Sequence, residues 1–335
     1  MINRLLIVGL GSIGQRHLSI ARGLFSDADI RVLRRQATNE VPEYANGCFS
    51  SISEVLQFQP QLAVITSPAT FHIATAQILA ESGVHLLIEK PLSASMEGVE
   101  HLIETCRQQN TTLLTGYNLR FLPSLQHFRH LLSEGLIGKV LSVRCEVGQY
   151  LPSWRPECDY RQSVSARREL GGGVLLELSH ELDYLRWIFG EIDWVKGTLS
   201  RQSSLELDVE DTAHLTLGFA SAIDGHELIA TVNLDFIRHD TTRVCVAIGE
   251  NGSLRWNGLS GLVELFEAGG QGWQELINLP HQRDESYLAE WKNFILSAAE
   301  HKTPLVTGED GLKVLQIIEA VRTSAASGVQ VSINK

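Results

Sequence analysis

The run Arg4-Leu5-Leu6-Ile7-Val8-Gly9-Leu10-Gly11-Ser12-Ile13-Gly14 ends in Gly-x-Gly-x-x-Gly, a spacing that lets a backbone come close to a diphosphate. The apolar residues before Gly9 show no helical period and read as a strand, whereas Gln15 to Arg22 reads as a helix. In such a strand–turn–helix Gly9 permits the turn, Gly11 leaves room for a pyrophosphate, and Gly14 lets the helix pack closely on the strand. Ser12 and Ile13 lie within the glycine turn before that helix, whose N–H groups and dipole favour an anion. Together these five residues, Gly9, Gly11, Ser12, Ile13 and Gly14, predict a dinucleotide site. A second chemically able group is Lys90, which follows the apolar strand Val84–Glu89. An amine at the carboxyl end of a parallel strand stands where ligands bind in doubly wound sheets. There it can donate a hydrogen bond to an oxygen that is gaining negative charge. A third is His180, whose imidazole titrates near neutrality and can take or give a proton.

Elements that could position these groups follow from hydrophobic periodicity. Over residues 1–118, strand signals at Leu5–Gly9, Ile30–Leu33, Leu62–Thr66, Val84–Glu89 and Thr112–Thr115 alternate with helix signals, notably Thr70–Ser82 and Ser95–Gln109. That alternation predicts a doubly wound parallel sheet, an α/β Rossmann domain. From about Lys139 the pattern changes to strand runs at Val140–Gly148, Trp194–Arg201, Thr212–Ala220, Glu227–Phe236, Arg243–Gly249 and Val263–Glu267. Hairpin signals at Asp224-Gly225 and Asn251-Gly252 make this sheet large and mainly antiparallel. A helix is expected at Leu175–Phe189, another at Tyr287–Ala299 with Leu288, Trp291, Ile295 and Ala298 on one stripe. A last helix opens on the capping box Thr307-Gly308-Glu309-Asp310 and ends near Gly328. Residues 119–335 thus form a second, α+β domain, whose final helix and strand can pack back on the sheet.

Composition excludes several classes. The chain has 335 residues and a formal net charge of −11, with Lys and Arg clustered only in pairs such as Arg34-Arg35 and Arg167-Arg168, which argues against nucleic acid. Five scattered cysteines without Cys-x-x-Cys fit reduced thiols, not a disulfide framework or a zinc site. No apolar stretch approaches the roughly 20 residues needed to span a bilayer, and no leader pattern precedes the first strand, so a cytoplasmic protein without membrane partners is expected. A long antiparallel sheet with an exposed face predicts a homo-oligomer, a dimer or tetramer.

In NAD-binding folds an acidic residue about 20 positions after the last motif glycine holds the ribose hydroxyls. Here that count lands on Arg34, within Leu33-Arg34-Arg35. A guanidinium offers a bidentate partner for a 2′-phosphate, so Arg34 and Arg35 favour NADP(H), with NAD(H) as the alternative.

Four further segments complete the pattern: Ile65-Thr66-Ser67-Pro68-Ala69-Thr70-Phe71-His72, Ile88-Glu89-Lys90-Pro91-Leu92, Gly116-Tyr117-Asn118-Leu119-Arg120, and Gly171-Gly172-Gly173 followed by His180-Glu181-Leu182-Asp183. With the opening glycines they resemble the Gfo/Idh/MocA (glucose–fructose oxidoreductase, inositol dehydrogenase) family across essentially the whole chain. The resemblance implies transfer of a hydride between a nicotinamide and a secondary alcohol or ketone of a sugar, cyclitol or nucleotide sugar. It implies that Lys90 contacts the reacting oxygen and helps position the nicotinamide, beside Glu89, and that His180 is the general acid/base. Thr66, Ser67, Pro68 and His72 are then expected along the nicotinamide side, His72 being equally readable as a helix N-terminal residue making local bonds. Many relatives carry an Asp four residues before the His; Leu176 stands there and Glu177 follows. On one continuous helix Glu177, His180 and Asp183 or Tyr184 would share a face, able to orient the imidazole or bind substrate hydroxyls. Tyr117, Asn118, Arg120, Tyr160 and Arg161 are further substrate candidates, the last two in a polar, aromatic loop suited to an acidic or nucleotide sugar. No metal is expected. Two other functions share the scaffold: a non-catalytic cofactor-sensing regulator and a glycosidase assisted by transient oxidation.

Overall fold

The computed structural model describes residues 2–34, 40–154, 156–220 and 227–333. The chain begins with β1 (Arg4–Val8), α1 (Ser12–Leu24), β2 (Asp29–Leu33), β3 (Gly47–Phe49), α2 (Ile52–Phe58) and β4 (Leu62–Ile65). It continues through α3 (His72–Glu81), β5 (His85–Glu89), α4 (Val99–Gln108) and β6 (Leu113–Gly116). The six strands pair in parallel in the order β3-β2-β1-β4-β5-β6. Order reverses at β1/β4, the switch point where doubly wound sheets bind ligands. β4 and β5 are almost wholly buried because helices cover both faces, which explains their continuous apolar runs.

Next come α5 (Pro123–Ser133), β7 (Val140–Gly148), α6 (Val174–Glu177), α7 (His180–Phe189), β8 (Ile192–Ser200), β9 (Thr212–Phe219), β10 (Ile229–Asp235) and β11 (Thr242–Gly249). They are followed by β12 (Gly252–Asn257), β13 (Leu262–Glu267), β14 (Gln274–Asn278), α8 (Glu285–Glu300), α9 (Gly308–Ser327) and β15 (Val331–Ser332). Nine strands form the second sheet in the order β14-β13-β12-β11-β7-β10-β9-β8-β15. Every pair is antiparallel except β7 with β10. Along β10 Ala230, Val232 and Leu234 are buried while Ile229, Thr231 and Asn233 are exposed, the period of a half-covered strand.

Two compact units result. One comprises residues 1–118 and 286–315, the other 119–285 and 316–335. The first unit thus takes in α8 and the start of α9 besides the parallel sheet. The cause is packing. Trp291, Phe294 and Ala298 share a core cluster with Leu5, Ile7, Ile30 and Leu114. Full burial of each large side chain contributes about 1.5–3 kcal/mol, enough to decide where a helix docks.

Three sequence expectations are corrected. The edge strand β3, with β12 and β14, carries too few apolar residues for a strand signal and forms by pairing with stronger neighbours. The helix expected at 175–189 is two pieces, because the chain leaves helical geometry at Leu178 (φ −99°, ψ 26°). The buried face of α8 is Ser286, Glu290, Trp291, Phe294, Ser297 and Ala298, turned from the expected Leu288-centred stripe so that a glutamate faces inward.

Candidate active site

In the first unit the glycine turn is built by sterics. Gly9 has φ +89°, and a Cβ there would lie 2.9 Å from the Ser67 nitrogen. A Cβ on Gly14 would collide with the Gly9 carbonyl and the Thr66 hydroxyl. The turn is fastened from both sides: Gly9 donates its N–H to Leu33 O at 3.0 Å, and buried Thr66 donates its hydroxyl toward Val8 O (2.9 Å) and Gly9 O (3.1 Å). Thr66 therefore shapes the turn through its side chain. Gly11 differs from the other two, with nothing within 4 Å of an added Cβ. α1 starts there without a side-chain cap and without an acidic residue in its first turn. Gly11 and Ser12 are exposed and Ile13 half-buried. Open space beside a glycine, at uncapped helical N–H groups, fits a diphosphate.

Arg34 closes β2, half-buried, with its backbone N–H donated to Phe49 O at 3.0 Å. Among the described residues its guanidinium has no ion-pair partner; Arg35 lies outside the described residues. Ser67 and Pro68 are half-buried at the end of β4. His72, read either along the nicotinamide or as a helix N-terminal residue with local bonds, is buried at the start of α3, its Nε2 2.6 Å from Ser67 O and its Nδ1 3.1 Å from Pro91 O. Burial pushes this imidazole below its usual pKa. A neutral ring has one N–H to give, and the shorter contact makes Ser67 O its acceptor. His72 thus ties the start of α3 to the loop after β4 through Ser67 O, a local bond at the helix N-terminus.

Lys90, half-buried, follows β5 and donates its backbone N–H to Glu89 Oε2 at 3.1 Å. The other oxygen of Glu89 lies 2.8 Å from His17 Nε2, and His17 Nδ1 accepts from Trp291 Nε1 at 2.9 Å. The indole can only donate, so Nδ1 is bare, and the neutral ring carries its proton on Nε2, which donates to Glu89. Glu89, 7% exposed, is therefore fully engaged beneath Lys90 and not open to a cofactor. Sequence marked Trp291 only as one residue of an apolar helix stripe and did not mark His17. The available signal was a polar residue at the buried stripe Gly14, His17, Leu18 and Ala21 of α1. Tyr117 is buried after β6, and Asn118 donates from Nδ2 to Ser286 Oγ at 2.8 Å. Asn118 so anchors α8 to the end of the first sheet.

In the second unit His180 is the first residue of α7 and 9% exposed. Glu177, half-buried, ends α6 and lies on a separate helical piece, so the shared helical face expected for Glu177, His180 and Asp183 does not form. Two substrate candidates are committed elsewhere. Asp183 receives Arg120 in a bidentate pair, Nη2 to Oδ1 at 2.6 Å and Nε to Oδ2 at 2.9 Å, with both side chains at most 3% exposed. Tyr184 is fully buried, its hydroxyl 3.0 Å from Cys145 Sγ and its ring edge-on to Trp256 at 5.5 Å. Burial raises the Tyr184 phenol well above its usual pKa. Arg120, Asp183 and Tyr184 are thus core residues here, corrected from substrate contacts for want of any surface. Tyr160 and Arg161 lie on a short turn, Tyr160 half-buried and accepting from Glu206 N at 3.1 Å, Arg161 exposed and paired with Asp159 at 2.8 Å. Arg161 holds the Asp159 carboxyl below its usual pKa. Glu181, missed in the sequence, is buried and paired with Arg243 Nε at 2.9 Å.

Residues 3–117 match the oxidoreductase family's NAD-binding Rossmann fold domain, and residues 129–333 match the same family's C-terminal alpha/beta domain. The chain belongs to the Gfo/Idh/MocA oxidoreductase family. It is an NAD-binding oxidoreductase. An uncharacterized oxidoreductase of Synechocystis is 28% identical over 62% of this chain and 57% of its own length. Myo-inositol 2-dehydrogenase of Thermotoga maritima is 26% identical over 96% of each chain. A levoglucosan dehydrogenase in complex with NADH superposes with a TM-score of 0.85 over 99% of both chains at 21% identity, which supports the fold. Among the described residues no helix is long and apolar enough to cross a membrane.

Proposed function

We propose that this family member transfers a hydride between a nicotinamide dinucleotide and a secondary alcohol or ketone of a sugar or cyclitol. The observation that carries the reading is the pairing of a turn shaped for a diphosphate, open beside Gly11 after β1, with Lys90 at the end of β5, separated from β1 by β4 alone in the same parallel sheet. The similarity to myo-inositol 2-dehydrogenase supports a polyol substrate. When bound, the nicotinamide supplies or accepts the hydride. Gly9, Gly11, Ser12, Ile13 and Gly14 hold the diphosphate, with Ser67 and Pro68 on the approach to the ring. Lys90 donates a hydrogen bond to the substrate oxygen as it gains charge, and His180 exchanges the hydroxyl proton. Glu177, Tyr160 and Arg161 are the substrate contacts this reading keeps; Tyr117 is dropped because it is as fully buried as Tyr184.

NADP(H) is the preferred form on the strength of Arg34, which stands where an acidic residue would hold an NAD ribose. Fluorescence titration should give a lower Kd for NADPH than for NADH; the reverse order removes the 2′-phosphate from the proposal. The five described cysteines are all unbridged, which supports a reducing, cytoplasmic setting. The solvent-facing side of β10 supports a homo-oligomer. With a panel of polyols, Lys90→Ala should lower kcat by about 10²–10³-fold while the fold persists, the loss typical of one donor to a developing oxyanion. Normal turnover in that variant overturns the reading.

A further inference from the structure

Glu290 lies on the inward face of α8, 0% exposed, and neither of its carboxyl oxygens has a hydrogen-bond partner among the described residues. Its neighbours in this interior are Glu89 from β5, His17 and Arg16 from α1, and Tyr287 and Trp291 from its own helix. The charges around it are already allotted. Glu89 accepts both the His17 Nε2 proton and the Lys90 backbone N–H, so its two oxygens are already engaged. His17 is neutral, since its other nitrogen accepts from Trp291. Arg16 lies over the Tyr287 ring at 4.9 Å. An ionised Glu290 would be a second buried carboxylate beside the first, with no protein donor to repay its desolvation. Two carboxyls in such a place cannot both ionise.

We propose that Glu290 carries a proton in the native state and that Glu89 and Glu290 together act as a single-charge carboxyl pair which positions the backbone of Lys90. Burial and the charge on Glu89 both push the Glu290 carboxyl well above its usual range. Loss of the Glu290 proton then places two charges behind the loop that presents Lys90, loosening the Glu89 contact to its N–H. Both residues are positioning residues, acting on substrate only through Lys90. The functional half of the inference rests on the proposed role of Lys90; the buried proton does not.

The sign of the pH effect follows from linkage. A carboxyl whose pKa is raised on folding adds its full stability below the unfolded value, about pH 4.3, and loses it as pH rises toward the folded value. Thermal unfolding of the intact protein across this range, with no substrate present, reads the effect directly. The parent should lose melting temperature toward pH 9, Glu290→Gln should lose less, and the two curves should converge near pH 5. Glu290→Met, which removes titration without asking for a hydrogen bond, should show the same flattening if the amide fails to fold. Parallel curves for parent and either variant overturn the proposal. In turnover, the alkaline limb of the kcat/KM profile should move to higher pH in Glu290→Gln. An unmoved limb beside flattened stability curves refutes the link to Lys90 alone, and inactivity of the parent on every polyol would count against the proposed reaction while leaving the stability result to judge the buried proton.

Discussion

Asp183 and Glu290 are equally withdrawn from solvent, at 1% and 0% exposure, yet their surroundings differ in kind. In the second unit, Asp183 meets the Arg120 guanidinium through two hydrogen bonds, and Arg120 lies 5.6 Å from the Trp187 ring. Charge closes to zero there, and planar groups match edge to edge. In the first unit, Glu290 meets another carboxyl, already engaged with a histidine and a backbone N–H. The first arrangement fixes geometry through matched charges; the second stores a proton. Burial alone therefore does not say what a buried acid does. Its nearest partner does.

Breaking the ion pair should give the largest effect. Asp183→Asn leaves a guanidinium buried without its counter-charge, at an expected cost of about 3–5 kcal/mol in urea unfolding. The double variant Arg120→Met with Asp183→Leu should recover most of that, because replacing both partners by apolar groups is close to neutral. In the same urea unfolding at about pH 7, Glu290→Gln should cost far less than Asp183→Asn, since it strips no buried counter-charge. Equal penalties would erase the contrast. A smaller effect sharpens the other side. Trp291→Phe removes the N–H donated to His17, leaving a buried ring nitrogen unpaired at about 1–3 kcal/mol. If this variant is as stable as the parent, the assigned tautomer of His17 is wrong, and with it the charge count of the first cluster.

How far each region could be read in advance follows the same division. The glycine turn was legible because its constraint is local: Gly9 and Gly14 are excluded from bearing a side chain by atoms only a strand away. The capping box at Thr307 was legible for the same reason, and its bonds form, Thr307 N to Asp310 Oδ2 at 2.9 Å and Asp310 N to Thr307 Oγ1 at 3.1 Å. The cluster behind Lys90 was not, since Trp291 reaches His17 across 274 positions of sequence. Asp183 and Tyr184 were misread because polarity in a helix was taken for surface, whereas Arg120 and Cys145 pair with them inside. The break at Leu178 left no glycine or proline to announce it.

One consequence of the α8 packing concerns synthesis. The nucleotide-binding sheet emerges early from the ribosome, but Trp291, Phe294 and Ala298, which complete its interior, come only after Leu119–Glu285 has been made. The early half must wait with part of its apolar surface uncovered. Cut at Asn118 and grafted elsewhere, it would leave behind the helix that seals it, so this half is not a transplantable cassette.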